Sequence, residues 1–213
     1  MICIFMQVST YLLTGGAMKR ESTEVRQKQI KKAVLEIIAE KGLHNVSTRN
    51  LAKQVGLSEG ALFRHFPTKR AIIKGIMDDV ASDLIGSLRE IALSSKNVEE
   101  KLFDFLCRNV QYLKKNKGIT ILLFSEATHL GDEELKDALN KILTAQKQFV
   151  NDIIQQGISE GICDENLNPE DVALLYMGIP ITLNIELVLN KNNFNSDNFC
   201  KRMYSVMIKA IKK

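Results

Sequence analysis

Apolar residues recur every three or four positions along most of the chain from residue 24 onward, which is the spacing that places them on one face of an α-helix. Capping residues, glycines and prolines divide this pattern into separate segments. The sequence contains no β-hairpin signal and no internal repeat. The pattern therefore predicts an all-α protein.

The predicted helices differ in length, and most have a capping residue before them or a glycine after them. Pro180 lies inside a long apolar segment, and we expect it to kink that helix because proline removes a backbone hydrogen bond. The helices are predicted at about residues 24–41, 48–55, 59–66, 69–94, 98–115, 119–129, 132–160, 169–189 and 195–210.

Two short helices joined by a tight turn are predicted in the segment TRNLAKQVGLSEGALFRHFP, from Thr48 to Pro67. Ser47 or Thr48 can cap the first helix, and Gly56 can end it because glycine adopts a left-handed conformation without strain. Ser58 can then cap the second helix. Proteins use such a pair of helices, with a glycine turn, to place a helix in the major groove of DNA. The segment therefore predicts a DNA-binding helix-turn-helix.

The block from Arg26 to Ile76 resembles the N-terminal domain of the tetracycline-repressor (TetR) family of transcriptional regulators; its sequence is RQKQIKKAVLEIIAEKGLHNVSTRNLAKQVGLSEGALFRHFPTKRAIIKGI. The resemblance implies a three-helix DNA-binding domain at residues 18–68 and a helical effector-binding and dimerisation domain at residues 69–213. It also implies a homodimer in which the last two helices of each chain pair across a twofold axis. The apolar run from Val172 to Leu189 fits that interface, although burial within one protomer would also explain it.

The same resemblance implies which residues contact DNA. Thr48 matches a phosphate-contacting helix start, and Arg49 matches a position that often reaches into the groove. Phe63 stands where the family commonly has tyrosine, so it offers no hydroxyl to a phosphate, and we expect its ring to pack under the helix. The complete predicted set is Thr48, Arg49, Ser58, Glu59, Gly60, Ala61, Phe63, Arg64, His65 and Lys69.

The charge distribution agrees with a DNA-binding N-terminal part. Residues 18–77 contain 13 Lys and Arg against 5 Asp and Glu, a balance of +8, whereas residues 78–213 contain 16 against 20, a balance of −4. Because DNA phosphates attract cationic side chains, the basic excess lies where contact with DNA is predicted.

Several aromatic and soft side chains on the predicted C-terminal helices could line a ligand cavity, although each could equally belong to the core. Few charges fall on these faces, so we expect a mainly apolar effector, such as a lipid-like metabolite or an aromatic compound. Because the Glu126 carboxylate could pair with a positive charge, a lipophilic cation is the alternative effector. The candidates are Phe103, Tyr112, Phe124, Glu126, Phe149, Tyr176 and Met177.

Neither the cysteines nor the histidines form a pattern of metal ligands, because the four cysteines lack CxxC spacing and only three histidines are present. We expect reduced thiols in a reducing compartment, with Cys107 as a small core residue. No phosphate-binding loop or nucleophile motif stands out in the sequence. The sequence therefore predicts no metal, no cofactor and no enzymatic activity.

Residues 1–17, MICIFMQVSTYLLTGGA, carry no charge, unlike the chain that follows. A signal peptide would need positive residues before its apolar core, and a transmembrane anchor needs about 20 apolar residues, whereas polar residues interrupt this run. We expect instead that translation begins at Met18 and that this extension adds nothing to the fold. No membrane association is predicted, and we expect a cytoplasmic protein.

Together these patterns predict a homodimeric transcriptional repressor that a small effector releases from a double-stranded DNA operator. The effector would favour one orientation of the connector helix beginning at Lys69, and so change the distance between the two recognition helices. The alternative is a DNA-organising or partner-recruiting helix-turn-helix protein that responds to no small molecule.

Overall fold

The structure is a computed structural model that describes residues 21–117, 119–129, 132–190 and 197–213; for residues 126–129 it describes the backbone alone. The extension at residues 1–17 lies outside these ranges. Within them the fold is all-α, as predicted. The α-helices are α1 (Thr23–Lys41), α2 (Thr48–Val55), α3 (Glu59–His65), α4 (Lys69–Asp79), α5 (Gly86–Ala92), α6 (Val98–Lys115), α7 (Ile119–His129), α8 (Glu133–Ser159), α9 (Pro169–Leu189) and α10 (Phe199–Ile211).

Most helices begin at the capping residues that the sequence indicates. The Ser47 hydroxyl accepts a hydrogen bond from the backbone N–H of Asn50 at 3.2 Å and so caps α2. Ser58 and Thr68 cap α3 and α4 in the same way. Asn97 opens α6 with a capping box. These side chains satisfy N–H groups that have no partner inside the helix, which is why the helices begin there.

The first three helices pack around one apolar centre and form the N-terminal helix-turn-helix domain. Ile30 of α1, Leu51 of α2 and Leu62 of α3 are buried there, and Phe66 closes the unit from below α3. The side-chain nitrogen of Gln27 donates to the carbonyl of His65 at 2.9 Å, which ties α1 to the end of α3.

The connector helix (residues 69–92) consists of α4, a π-helical turn at Val80–Ile85, and α5. A π-helical turn is wider than an α-helical one, and nothing in the sequence predicted this turn. Just before this turn, the Lys31 ammonium of α1 donates to the Asp79 carboxylate at 2.6 Å. Val80 and Leu84 are buried against the C-terminal helices. The connector therefore contacts both domains, with the π-helical turn on the C-terminal side.

The C-terminal domain is built around α6, α8 and α9, which pack against one another. α7 packs on α8 and α9, and α10 packs on α6. The centre of this bundle is mainly apolar and includes Leu102 and Phe105 of α6, Val150 and Ile154 of α8 and Ala173 of α9.

The expectation that all cysteines are reduced is wrong for one pair. Cys107 of α6 and Cys200 of α10 form a disulfide, with Cα atoms 5.3 Å apart. Cys107 is only half-buried and is not a simple core residue. The sequence could not indicate the pair because 93 positions separate its members. Cys163 is a buried free thiol, and Cys3 lies outside the described ranges.

By length and composition, α9 could cross a membrane, since its mean hydropathy reaches 1.9 over a window of which 39% is buried inside the protein. Core helices of soluble proteins have the same properties. Pro180 lies inside α9, and a kink there stays a prediction. Large apolar side chains remain exposed on α9 and α10, at Leu174, Leu175, Ile185, Leu189 and Val206. These two helices therefore present an apolar face that one protomer does not cover.

Candidate DNA-binding surface and effector cavity

The turn between α2 and α3 has the geometry that the sequence predicts. Gly56 adopts a left-handed conformation with φ of 71°, and its N–H bonds back to the carbonyls of α2. The Thr48 hydroxyl, at the start of α2, donates to the Glu59 carboxylate, at the start of α3, at 2.9 Å. This bond holds the N-terminal ends of the two helices together, on the side where a recognition helix meets DNA.

The predicted DNA-contacting residues lie on α2, α3 and the start of α4. Of these, Thr48, Ala61 and His65 are half-buried. The others are exposed, namely Arg49, Ser58, Glu59, Gly60, Phe63, Arg64 and Lys69. The Ser58 hydroxyl already caps α3, because it accepts a hydrogen bond from the N–H of Ala61 at 3.1 Å. The structure thus brings a set of exposed groups, three of them cationic, to the surface of the helix-turn-helix.

The position of Phe63 differs from the packing that we expected. Phe63 is 43% exposed, whereas Leu62 and Phe66, four positions apart on the inner face, are buried. An exposed phenyl ring contributes little hydrophobic stabilisation to the free protein. Phe63 therefore belongs to the outer surface of α3 and not to its support.

His65 is held firmly at the end of α3. Its ring nitrogen Nδ1 is enclosed and has no hydrogen-bond partner among the described residues. Its carbonyl accepts from Gln27, as described above. The ring is half-buried, so His65 presents less of its surface to DNA than the neighbouring Arg64, which is exposed.

An apolar cavity of about 190 Å³ lies inside the C-terminal domain. Its walls come from the π-helical turn, α6, α7, α8 and α9. The lining residues are Val80, Leu84, Asn109, Tyr112, Leu113, Ile119, Thr120, Leu123, Phe124, Leu139, Ile142, Leu143, Gln146, Met177, Pro180 and Ile181. The connector helix therefore forms part of the cavity wall.

The cavity contains three of the predicted effector-binding residues, Tyr112, Phe124 and Met177. Tyr176 lies elsewhere in the core, where its hydroxyl donates to the carbonyl of Leu102. Phe103 stacks edge-on against Tyr204, with ring centroids 5.2 Å apart.

One further candidate, Phe149, also falls outside the cavity lining. Phe149 is half-buried and packs against the core. Glu126 lies in α7, but its side chain is outside the described part of the protein.

Besides the half-buried Thr120 of α7, two polar cavity residues were missed by the sequence reasoning, Asn109 of α6 and Gln146 of α8. Both are buried, at 4% and 9% exposure. A signal for each was present, because each occupies a position in an apolar stripe: Gln146 stands four positions after Ile142 and four before Val150. A polar residue in such a stripe faces the interior.

The cavity wall is electrically neutral within the described residues. None of its lining side chains is an acid or a base that is charged at neutral pH. The pKa of the Tyr112 phenol is raised well above its usual range, mainly by burial and further by the nearby Asp83 carboxylate, so this side chain keeps its proton. The cavity therefore suits an uncharged, mainly apolar group.

This architecture defines a helix-turn-helix DNA-binding regulator whose second domain is a helical bundle. Residues 30–76 match the family model for bacterial regulatory proteins of the tetR family, and residues 77–210 match the model for the C-terminal region of YsiA-like proteins. The chain therefore belongs to the TetR family of bacterial regulators, as the resemblance of residues 26–76 implied.

A curated relative is the nucleoid occlusion factor SlmA of Actinobacillus pleuropneumoniae, which is 28% identical over 146 residues, 68% of this chain and 72% of SlmA. The ketosteroid transcriptional regulator KstR2 of Mycobacterium tuberculosis has a similar structure, with a TM-score of 0.75, 18% identity and coverage of 88% of this chain and 95% of KstR2. FadR from Bacillus subtilis, solved in complex with stearoyl-CoA, gives a TM-score of 0.68, 22% identity and coverage of 86% and 98%. The two structures support the fold alone.

Proposed function

We propose that this protein is a homodimeric transcriptional repressor that a small, mainly apolar effector releases from its DNA operator. The observation that carries the proposal is the cavity itself. Val80 and Leu84 of the connector helix form part of its wall, so a molecule in the cavity touches the helix that joins the two domains. The protein would act in the cytoplasm, where the operator is accessible.

The release would follow from a population shift. An effector that binds one orientation of the connector better than another favours that orientation by its difference in affinity. α4 begins directly after the helix-turn-helix and is bonded to α1 through Lys31 and Asp79. A rotation of the connector would therefore move the recognition helix α3, and two half-sites at fixed spacing could no longer be contacted together.

The DNA contacts that we propose are those of the exposed surface of α2, α3 and the start of α4. Arg49 and Arg64 are exposed and long enough to reach base edges, and the exposed Lys69 would contact the phosphate backbone. Thr48, Glu59 and His65 are held by the hydrogen bonds described above, so they would shape this surface as well as contact DNA.

The effector class follows from the chemistry of the cavity. Its walls offer aliphatic, aromatic and amide side chains without charge, which favours an aliphatic or ring-containing molecule over an ion. The similar structures named above include a regulator solved with stearoyl-CoA and a ketosteroid regulator, and the stearoyl chain and the steroid ring system are both apolar groups. We therefore propose a lipid-like or steroid-like effector in preference to the lipophilic cation.

A second function is supported by the relationship to SlmA, whose name describes a nucleoid occlusion factor. A protein of that kind would organise DNA or recruit a partner, and would need no small molecule. The cavity favours the repressor, because it offers a small molecule an apolar site that this second function would not use.

The test begins with DNA sequences that the purified protein selects from a random duplex library. Binding to the best sequence is then measured by fluorescence anisotropy at one fixed salt concentration, with and without long-chain acyl-CoA and steroid compounds. We expect a narrow set of selected sequences, and release by at least one of these apolar compounds.

The cavity variant Leu143→Trp fills the space from α8. We expect it to bind DNA like the wild type and to need at least about tenfold more compound for release, equivalent to 1.4 kcal/mol of lost affinity. The matched control is Lys141→Trp, on the exposed face of the same helix, which should respond like the wild type. If Leu143→Trp is released from DNA at the same compound concentration as the wild type, the proposal is contradicted. If the wild type binds many unrelated sequences and no compound releases it, the SlmA-like function is favoured.

A further inference from the structure

The amide of Gln146 is an unusual group to find in the core of this bundle. The residue is only 9% exposed and lines the cavity from α8. It makes no hydrogen bond with the described residues, and its amide atoms are not fully enclosed. Gln146 is therefore a mostly buried amide without a hydrogen-bond partner among the described residues, in the wall of an apolar cavity.

A mostly buried amide without a partner in the protein lowers stability, because it makes fewer hydrogen bonds there than in water. A leucine would fill the same space without that loss. The other two buried amide side chains among the described residues each make a hydrogen bond through nitrogen: Asn184 donates to the carbonyl of Leu113 at 3.0 Å, and Asn109 donates to the carbonyl of Phe105 at 3.3 Å. The Asn184 side-chain oxygen has no partner among the described residues, so Gln146 differs in lacking any hydrogen bond at all. The unpaired amide of Gln146 therefore suggests a partner that arrives with a ligand.

Asn109 adds a second polar group to the same cavity. Its side-chain nitrogen donates to the carbonyl of Phe105, one turn earlier in α6, at 3.3 Å. This leaves the Asn109 side-chain oxygen as an acceptor, whereas Gln146 offers both an N–H donor and an oxygen acceptor. Neither amide is charged, and no charged side chain joins them among the described lining residues. The pair can satisfy a neutral oxygen group and cannot neutralise an ion.

We propose that Gln146 determines effector specificity by donating a hydrogen bond to a carbonyl oxygen within an otherwise apolar effector, with Asn109 as a secondary polar contact. The inference rests on the proposed function, and it narrows the effector from any apolar molecule to one with a neutral carbonyl, as in a ketone, ester or thioester. A cavity of this size suits a medium-length aliphatic segment or a ring, since an engineered cavity of about 150 Å³ holds a benzene molecule.

The test compares three probes of equal chain length: 2-decanone, decane and decanoate. Binding to the ligand-free protein is measured by competition with a fluorescent apolar dye. We expect the wild type to bind 2-decanone about 3- to 10-fold more tightly than decane, as one net hydrogen bond predicts, and to bind decanoate most weakly because the cavity cannot pair its charge.

Gln146→Leu should remove this preference, so that 2-decanone and decane bind equally. The matched control is Gln148→Leu, which makes the same substitution two positions away at an exposed site where the amide bonds only to Asp152. Gln148→Leu should keep the wild-type preference. The melting temperature gives a second readout: Gln146→Leu should be at least as stable as the wild type without ligand, since it removes an unpaired buried amide.

Each alternative outcome has a distinct meaning. If wild-type protein binds 2-decanone and decane equally well, the cavity is a ligand site but Gln146 does not read a carbonyl. If Gln146→Leu is clearly less stable than the wild type, the amide has a structural partner and the inference fails. If no probe binds, both this inference and the proposed function fail.

Discussion

At the residue scale, Phe63 is the clearest departure of the recognition surface from the rest of the family pattern. Tyrosine is common at the matching position of the family, and the phenyl ring here is exposed on the outer side of α3. Tyrosine would add a hydroxyl to this exposed ring. Such a group could donate a hydrogen bond to a DNA phosphate without any change in the core.

We therefore predict that Phe63→Tyr tightens DNA binding by about 2- to 10-fold, because one added hydrogen bond contributes about 0.5–1.5 kcal/mol. The gain should appear for the selected operator and for an unrelated duplex alike, since phosphate contacts carry no sequence information. Fluorescence anisotropy at fixed salt measures both affinities.

The control for this prediction is Phe66→Tyr, where the ring is only 7% exposed. There the added hydroxyl would be buried without a partner, so we expect a loss of about 1–3 kcal/mol in unfolding free energy. Unchanged affinity of a well-folded Phe63→Tyr protein for both duplexes would show that this face of α3 does not meet the phosphates.

At the scale of elements, the π-helical turn at Val80–Ile85 is the feature that links the cavity to the connector. It is braced from α6 by Arg108, whose Nε donates to the Ser87 hydroxyl at 2.7 Å and whose Nη2 donates to the carbonyl of Asp83 at 3.3 Å. The Ser87 hydroxyl in turn donates to the carbonyl of Leu84 at 2.9 Å. Arg108 thus supports the carbonyl of Asp83 directly and that of Leu84 through Ser87. Both carbonyls belong to the π-helical turn, whose Val80 and Leu84 side chains line the cavity.

We predict that Arg108→Ala lowers the unfolding free energy by about 1–3 kcal/mol, because it removes hydrogen bonds to a charged donor. Urea denaturation measures this loss, and amide hydrogen exchange should accelerate in residues 80–88 in particular. Arg89→Ala, at an exposed position of the connector, is the matched control and should change stability by less than about 0.5 kcal/mol. Uniform acceleration of exchange over the whole chain would mean that Arg108 does not specifically support the turn.

The helices themselves could be predicted because their signals are local. Caps such as Ser47, Asn97 and Asn168, and the left-handed Gly56, act on backbone groups within a few positions. The π-helical turn and the disulfide between Cys107 and Cys200 could not be predicted, since both depend on which elements pack together.

The same limit applies to the cavity. Composition alone cannot say which apolar side chains face an open space and which fill the core. Phe124 and Tyr176 were equally good candidates by sequence, yet Phe124 lines the cavity, whereas Tyr176 is buried and bonded to the carbonyl of Leu102. Gln146 could have been found only by giving weight to a polar residue in an apolar stripe.

At the scale of the whole molecule, the uncovered apolar face of α9 and α10 is what a dimer would bury. Leu175 and Val206 are 67% and 62% exposed, and large exposed apolar patches of this kind mark interfaces. Leu187, which lies on the same helix, is instead buried within the protomer, so a charge there would unfold the domain before it could report on assembly. A single helix-turn-helix also offers few contacts for tight, specific binding, and two copies remedy this.

We predict that the wild-type protein sediments as a dimer at micromolar concentration and that Leu175→Glu and Val206→Glu sediment as monomers. A charge on each side of the interface would have to be buried without a partner, which is costly, whereas in the monomer it stays in water. Because neither side chain supports the core, the melting temperature of the monomers should show an independently folded protomer, and binding to the full operator should be lost while weak binding to a half-site remains. Leu93→Glu is the control, since Leu93 is 73% exposed and follows α5, away from α9 and α10. If the wild type is a monomer, or if the variants remain dimeric, the apolar face of α9 and α10 is not the dimer interface and would serve a different partner. The proposed release, which depends on the spacing of two recognition helices, would then lose its geometric basis.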